Sequence, residues 1–344
     1  MKTVTVNASK TYDVKIGPKL LSTIGEEAKT FPKAEKVCIV SDSTVWPLYG
    51  EIVQNSLVNA GFIVTNFIFP AGEESKNGIV YLDLMNHLAL SQLTRSDLIV
   101  ALGGGVVGDL AGFAAATFLR GIRFIQVPTT LLAAVDSSVG GKTAIDLPSG
   151  KNLCGAFCQP SLVLCDTDTL NTLPQPIFRD GCAEVIKYGV LYDADLFAEL
   201  ERDGLDFQRE SVIARCVAWK RDVVVEDEFD TGARMKLNLG HTIGHGVEAH
   251  SNFTISHGSA VAIGMAIVSR ASKCPDADRI IRCLTQFGLP TETEQNANDI
   301  YNYTLSDKKR SGQTVNLIIP HTIGDCRIVP TDVGMLKTFI EEGM

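Results

Sequence analysis

Between residues 234 and 248 lie Arg234, Asn238, His241, His245 and Glu248. Read as one helix at about 100° per residue, these five fall in a stripe roughly 80° wide, with Leu237, Leu239, Ile243 and Val247 elsewhere. A solvated helix face ordinarily carries Lys and Glu. This one carries imidazoles, an amide and a guanidinium, the groups that hold metals and anions. Two histidines one turn apart can share a divalent metal, and His257 puts a third of the chain's six histidines close by in sequence. Upstream, Glu184 and Lys187 stand at i,i+3 among small and apolar residues. Taken alone, that pair reads as an ordinary surface ion pair.

A second chemistry is suggested by Gly103-Gly104-Gly105-Val106-Val107-Gly108-Asp109, which follows an apolar run and precedes an Ala-rich segment. The spacing satisfies G-x-G-x-x-G, in which glycines let a backbone approach a pyrophosphate at a helix N-terminus. The same glycines could instead serve tight helix–sheet packing. The acidic residue expected about 20 positions later to hold a ribose is absent. Asp42, at the end of an earlier strand-like run, could substitute. The segment 136–143, Asp136-Ser137-Ser138-Val139-Gly140-Gly141-Lys142-Thr143, approximates a phosphate loop but puts a carboxylate where the first glycine belongs. A carboxylate there repels phosphates, which excludes a nucleotide triphosphatase and leaves Lys142 as an anion or hydroxyl contact near Lys151 and Asn152.

These groups need a scaffold, and the sequence predicts an α/β one. Apolar runs at 36–42, 97–102, 124–128 and 162–166 alternate with helical stretches, the pattern of a parallel sheet covered on both faces. Beyond Pro174 and Pro176 the chain reads mainly as helices, with a late strand pair at 314–320 and 326–329. The expectation is a Rossmann-like, nucleotide-binding type of domain over 1–175 and a mainly helical domain over 176–344 that carries the candidate metal residues. The 344 residues carry 31 Lys+Arg against 40 Asp+Glu, a net charge of −9, which gives no footprint for nucleic acid or an anionic membrane. The N-terminus alternates like a strand instead of forming a signal peptide, and no apolar run reaches the ~20 residues of a bilayer span. Nine cysteines without a Cys-x-x-Cys pair suit reduced thiols and a cytoplasmic location.

In order along nearly the whole chain, the glycine cluster 103–109, the run 120–130, Asp136 through Thr143, Gly150-Lys151-Asn152, the run 183–189, and 238–248 with His257-Gly258 resemble the 3-dehydroquinate synthase family of sugar-phosphate cyclases. The resemblance implies a phosphorus–oxygen lyase of the shikimate pathway, active as a homodimer with NAD and a divalent metal, usually zinc with cobalt possible. Its small-molecule substrate would be 3-deoxy-D-arabino-heptulosonate 7-phosphate. Oxidation, phosphate elimination, reduction, ring opening and aldol closure would give 3-dehydroquinate plus phosphate without net redox change. Another sugar-phosphate cyclase, a metal-dependent polyol dehydrogenase and a binding module with a structural metal are the alternatives.

Residue by residue, the resemblance implies Glu184, His241 and His257 as metal ligands at the domain cleft, where spacing alone would pair His241 with His245. It assigns Lys142, Asn152, Asn238, His245 and one of Lys308 or Lys309 to the phosphate end of the substrate, with Arg120 from a neighbouring subunit. Lys187, Lys220 and Arg234 would hold the carboxylate and Asp136 the ring hydroxyls. For NAD it points to Asp42, Glu73, Lys76, Gly104, Gly105, Val106, Val107, Gly108, Asp109, Thr129, Thr130, Lys142, Lys151, Thr169, Leu170, Asn171 and Thr172.

Overall fold

The apolar runs of the first half have no polar face to turn toward water, and the structure buries both of their faces. The computed structural model describes residues 1–252, 254–305 and 313–344. By its internal contacts the chain divides into two units, Met1–Leu173 with Arg209–Phe229, and Pro174–Gln208 with Asp230–Met344.

In the first unit the chain runs β1 (Lys2–Asn7), β2 (Thr11–Gly17), α1 (Ile24–Lys29), β3 (Lys36–Asp42), α2 (Trp46–Asn59), β4 (Ile63–Phe69), α3 (Gly78–Leu90), β5 (Leu98–Gly103), α4 (Gly105–Thr117), β6 (Arg123–Pro128), β7 (Lys142–Leu147), β8 (Gly150–Phe157) and β9 (Leu162–Asp166). Seven strands form one sheet in the order β1-β2-β9-β6-β5-β3-β4. Apart from the antiparallel β1–β2 pair, every ladder is parallel. Alternate residues feed opposite faces: Cys38, Val40, Ile99, Ala101 and Phe124 join Leu84, Leu88 and Leu110, whereas Val37, Ile39, Leu98, Val100 and Ile125 join Ile24, Val53 and Leu57. This bears out the α/β expectation. After β4 the chain returns to place β5 on the other side of β3, so the order of construction reverses between these two strands. Such switch points open a crevice at the carboxyl ends of the strands.

The second unit holds α5 (Gln175–Tyr192) and α6 (Ala194–Asp203). Next comes α7 (Arg209–Glu226), which the sequence reading placed in the C-terminal domain but which belongs to the first unit. The Ser9 amide and hydroxyl donate to Glu228 just past its end, and Lys220 pairs with Asp136. Such partners, remote in sequence, leave no mark on the local helical pattern. The second unit resumes with α8 (His241–His250), α9 (His257–Ala271), α10 (Ala277–Gln286), α11 (Ala297–Leu305), the hairpin β10 (Thr314–Thr322) and β11 (Asp325–Asp332), and α12 (Val333–Gly343).

The single helix expected over 234–248 is not continuous. Ala233–Asn238 is a turn of 3-10 helix, and Gly240 sits in the left-handed region at φ 77° before α8 begins. Left-handed geometry favours glycine, and the site is also crowded. A Cβ at Gly240 would stand 2.6 Å from the Val261 carbonyl oxygen of α9, and one at Gly264 would stand 2.0 Å from the Gly240 carbonyl oxygen. Bare backbone lets α8 and α9 approach closely. Arg234 and Asn238 therefore lie on a different element from His241, His245 and Glu248.

Candidate active site

The candidate metal ligands come together in the second unit from three helices. Glu184 on α5, His241 at the start of α8 and His257 at the start of α9 each offer a ligand atom, all within 4.8 Å of one another. The Nδ1 of His241 faces the Leu239 carbonyl at 3.1 Å, and the Nδ1 of His257 faces Glu248 Oε2 at 3.4 Å. Each ring is thus oriented through its far nitrogen, the usual second tier of support for a ligating histidine. Both rings present Nε2 to Glu184 Oε1, at 3.3 Å and 3.4 Å. Four-coordinate zinc with bonds of ~2.0–2.1 Å spaces its ligand atoms about 3.3–3.4 Å apart. The donor set, one carboxylate oxygen and two imidazole nitrogens, fits a divalent cation with coordination positions left for substrate.

The charges agree with that chemistry for Glu184 and His241, whereas His257 must give up a proton when a cation binds. Glu184 and Lys187 are each only 1% exposed and in direct contact, so the pair is buried and is not the surface ion pair that their spacing alone suggested. Burial by itself would raise the Glu184 carboxyl, but Lys187 and His241 hold it well below the usual range. Burial and the Lys187 ammonium push His241 down to about 3 against the pull of Glu184, so its ring stays neutral, as a ligand must. Burial opposes charge on His257 too, yet Glu184 and Glu248 outweigh it and raise this imidazole to about 10. His245, the partner that spacing gave to His241, has its ring 5.5 Å from His241 and 6.2 Å from His257 and is not one of the three converging donors. Arg234 is buried in the 3-10 turn, with Asn238 partly exposed at its end.

The glycine cluster of the first unit lies at the switch point. Gly103 ends β5, beside Asp42 at the end of β3 and Pro128 at the end of β6, and the Thr129 amide donates to the Gly103 carbonyl at 3.0 Å. Gly105, Val106, Val107, Gly108 and Asp109 form the first turns of α4, with Gly104 as its N-cap. A Cβ on Gly108 would meet Gln126 Oε1 of β6 at 2.8 Å, so this glycine serves close helix–sheet packing. Asp42 Oδ1 accepts the Thr44 and Val45 amides at 2.8 and 2.9 Å. Thr169, Leu170 and Asn171 form a 3-10 turn after β9, and Tyr49 binds both the Thr169 carbonyl and the Thr172 hydroxyl.

Three features of this unit were not visible as pattern. Asp136 sits in a short π-helix, Ala133–Ser137, and meets Lys220 of α7 at 2.7 Å. π-turns of this kind are frequent at functional sites. Lys220 is 6% exposed, which separates it from ordinary surface charges. The segment after the rejected phosphate loop is a β7–β8 hairpin carrying Lys142, Lys151 and Asn152. Finally, Lys76 is buried against Asp109 Oδ2 at 2.6 Å, with Glu73 at 3.7 Å. Burial lowers the Lys76 ammonium, but Asp109 and Glu73 more than compensate and it ends raised, while burial pushes Asp109 up to about 6 against the pull of Lys76. Arg120 is exposed, at φ 66° in the turn after α4. Lys308 and Lys309 lie outside the described residues.

Comparison with known proteins finds relatives along the whole chain. Residues 66–180 match the family model for the N-terminal part of 3-dehydroquinate synthase and residues 181–310 that for its C-terminal part. The chain is 46% identical to the 3-dehydroquinate synthase of Pelobacter propionicus, with 98% of each chain covered, and 45% identical to that of Streptococcus suis, covering 98% of this chain and 99% of the other. Among solved structures, 2-deoxy-scyllo-inosose synthase complexed with carbaglucose-6-phosphate, NAD+ and Co2+ superposes with a TM-score of 0.90 at 27% identity over the full length of both chains. The 2-epi-5-epi-valiolone synthase of Streptomyces hygroscopicus subsp. jinggangensis, with NAD+ and Zn2+ bound, gives 0.89 at 25%, covering 99% of this chain and 97% of that one. With both halves matched by the family models and relatives this similar over almost every residue, the chain belongs to the 3-dehydroquinate synthase family.

Proposed function

We propose that the chain converts 3-deoxy-D-arabino-heptulosonate 7-phosphate to 3-dehydroquinate and phosphate, as a cytoplasmic homodimer in aromatic amino acid biosynthesis. The observation that carries this reading is the convergence of Glu184, His241 and His257, an open three-donor set in a chain of this family. When bound, a zinc ion supplies a Lewis acid that lowers the pKa of a substrate hydroxyl, and NAD at the glycine turn supplies a reversible hydride acceptor.

The chain's own residues do the rest by holding and orienting. In the second unit Lys187 and Arg234, buried cations, serve the substrate carboxylate, and His245 and Asn238 serve its phosphate. In the first unit Lys220 serves the carboxylate, Asp136 the ring hydroxyls, and Lys142 and Asn152 the phosphate. Buried cations bind a multiply charged anion more strongly than exposed ones, because desolvated pairs are poorly screened. NAD is assigned to Asp42, the turn at Glu73, Gly104 through Asp109, Thr129, Thr130, Lys151 and residues 169–172. Arg120 acts from a neighbouring subunit. Proton removal next to the new ketone falls to the substrate phosphate, so no dedicated protein base is required.

The test supplies heptulosonate phosphate with trace NAD and follows inorganic phosphate and the cyclic product. Catalytic NAD should support many turnovers. Phosphate release needing stoichiometric NAD, or proceeding without any, would overturn the reading.

A further inference from the structure

We propose that Asp180 is a positioning residue for the candidate metal ligand His257, clamping the start of α9 onto α5 so that the imidazole meets Glu184. The inference rests on the reading above that Glu184, His241 and His257 hold the metal.

His257 is the ligand that packing holds least. Its side chain is 33% exposed, against 12% for His241 and 1% for Glu184, so hydrogen bonds must do for it what burial does for the other two. It is also the first residue of α9, where backbone amides have no partner within the helix. Ser256, the N-cap residue, gives α9 no side-chain cap of its own. The cap comes from another helix: Asp180 Oδ1 accepts the Ser259 amide at 2.9 Å and the Ser256 hydroxyl. Between those two serines, Gly258 presses bare backbone against α5, since a Cβ there would stand 2.0 Å from the Asp180 carbonyl oxygen. The residues on both sides of His257 are thus fixed to one aspartate. Asp180 lies one turn before Glu184, and positions four apart on a helix share a face. That face of α5 grips the α9 backbone with its first carboxylate and meets the His257 ring at 3.4 Å with its second. A carboxylate also suits the place electrostatically, because the N-terminus is the positive end of a helix. Without it the first turn of α9 can lift from α5 and carry the imidazole along, where a metal site tolerates only about ±0.2 Å.

Zinc affinity, read by competition with a chromophoric chelator, tests this in wild type, Asp180→Ala, Asp180→Asn and Asp332→Ala. Asparagine keeps an acceptor oxygen for the Ser259 amide and the Ser256 hydroxyl and gives up only the charge. Asp332 supplies a comparable cap in the same unit, its side chain accepting the Gly334 amide at 2.7 Å at the start of α12, so it measures what a lost cap does by itself. Asp180→Ala should bind zinc about tenfold more weakly, the lower end of what removing a supporting residue of a metal site does. Asp180→Asn should stay within about threefold of wild type, the size of one helix-end charge. Asp332→Ala should lower the thermal midpoint of the metal-free protein much as Asp180→Ala does. Its zinc affinity should nonetheless stay within about twofold of wild type, as expected of a site without shared partners. Where Asp180→Ala does not fold, Ser256→Ala removes one of the two bonds, leaves Asp180 in place and should weaken zinc about threefold. Wild-type zinc affinity in the folded Asp180→Ala protein, or in the Ser256→Ala protein that replaces it, would overturn the proposal. So would an asparagine variant no better than alanine, or an equal loss in Asp332→Ala. Failure of the reading beneath it would show separately, as a wild-type protein that takes up no stoichiometric zinc or a His257→Ala variant that keeps it.

Discussion

Gly264→Ala offers a direct test of how the fold builds the metal-binding group. The new Cβ would lie 2.0 Å from the Gly240 carbonyl oxygen and 2.9 Å from the Gly244 amide nitrogen, both backbone atoms of the segment that carries His241. Ordinary contact begins near 3.4 Å, so α8 and α9 must part by more than an ångström, and no side-chain rotation can absorb it. His241 opens α8 and His257 opens α9, so the separation feeds straight into the ligand spacing. Metal sites tolerate departures of only about ±0.2 Å in ligand distance. Zinc affinity should therefore fall at least as far as when a supporting residue of a metal site is lost, about 10–100-fold. The metal-free protein should lose ~1–3 kcal/mol from overpacking. Competition with a chromophoric chelator reads the first quantity and urea unfolding of the metal-free protein the second. Gly78→Ala is the control: a Cβ there meets nothing within 4 Å, at the first residue of α3, and should leave zinc affinity unchanged. Wild-type zinc affinity in a folded Gly264→Ala protein would refute the claim that helix approach sets the ligand geometry.

Other expectations can be checked more briefly. Substituting His257→Ala should abolish stoichiometric zinc in purified protein measured by mass spectrometry, whereas His245→Ala should retain it; the opposite pattern would restore the His241/His245 pairing. Exhaustive chelation should stop turnover and lower the thermal midpoint, with zinc or cobalt restoring both; activity indifferent to chelation would remove the metal from the reaction. Asp97, 2% exposed, accepts the amides of Glu35, Lys36 and Thr94 and the Thr94 hydroxyl. Asp97→Ala strands those donors and should cost about 3 kcal/mol in urea unfolding. Burial works to raise the Asp97 carboxyl, but these donors hold it below the ordinary value. A depressed folded pKa means the contribution is present above the unfolded value and vanishes as pH falls through the folded one. Asp97→Asn should accordingly lose less stability on acidification below about pH 4 than wild type; parallel acid slopes would sink that assignment.

Much of the site was legible because it depends on short-range order. The glycine spacing 103–108 dictates a strand–turn–helix, and the uniformly apolar run 98–102 dictates a strand buried on both faces, which together predict where a dinucleotide can approach. The stripe at 234–248 was legible as chemistry and misread as geometry. A helical wheel carries no knowledge that Gly240 leaves the helix, because what forces that departure is α9 pressing on it from residues 261–265. The Glu184–Lys187 spacing likewise could not say whether water reaches the pair; burial at 1% is a property of the packed helices.

What the sequence determined by itself is the inventory of chemistry and the class of scaffold, since backbone periodicity and turn residues act over a few positions and local physics decides them. What tertiary structure alone decided is which donors meet. His241 is four residues from His245 yet converges with His257 and Glu184, sixteen and fifty-seven positions away. Lys76 finds Asn152 across a hairpin that no local pattern announced. Holding a metal or an anion needs donors converging from several directions, and neighbouring residues on one helix face all project the same way. Such sites must be closed by packing between elements distant in the chain, where spacing has no reach.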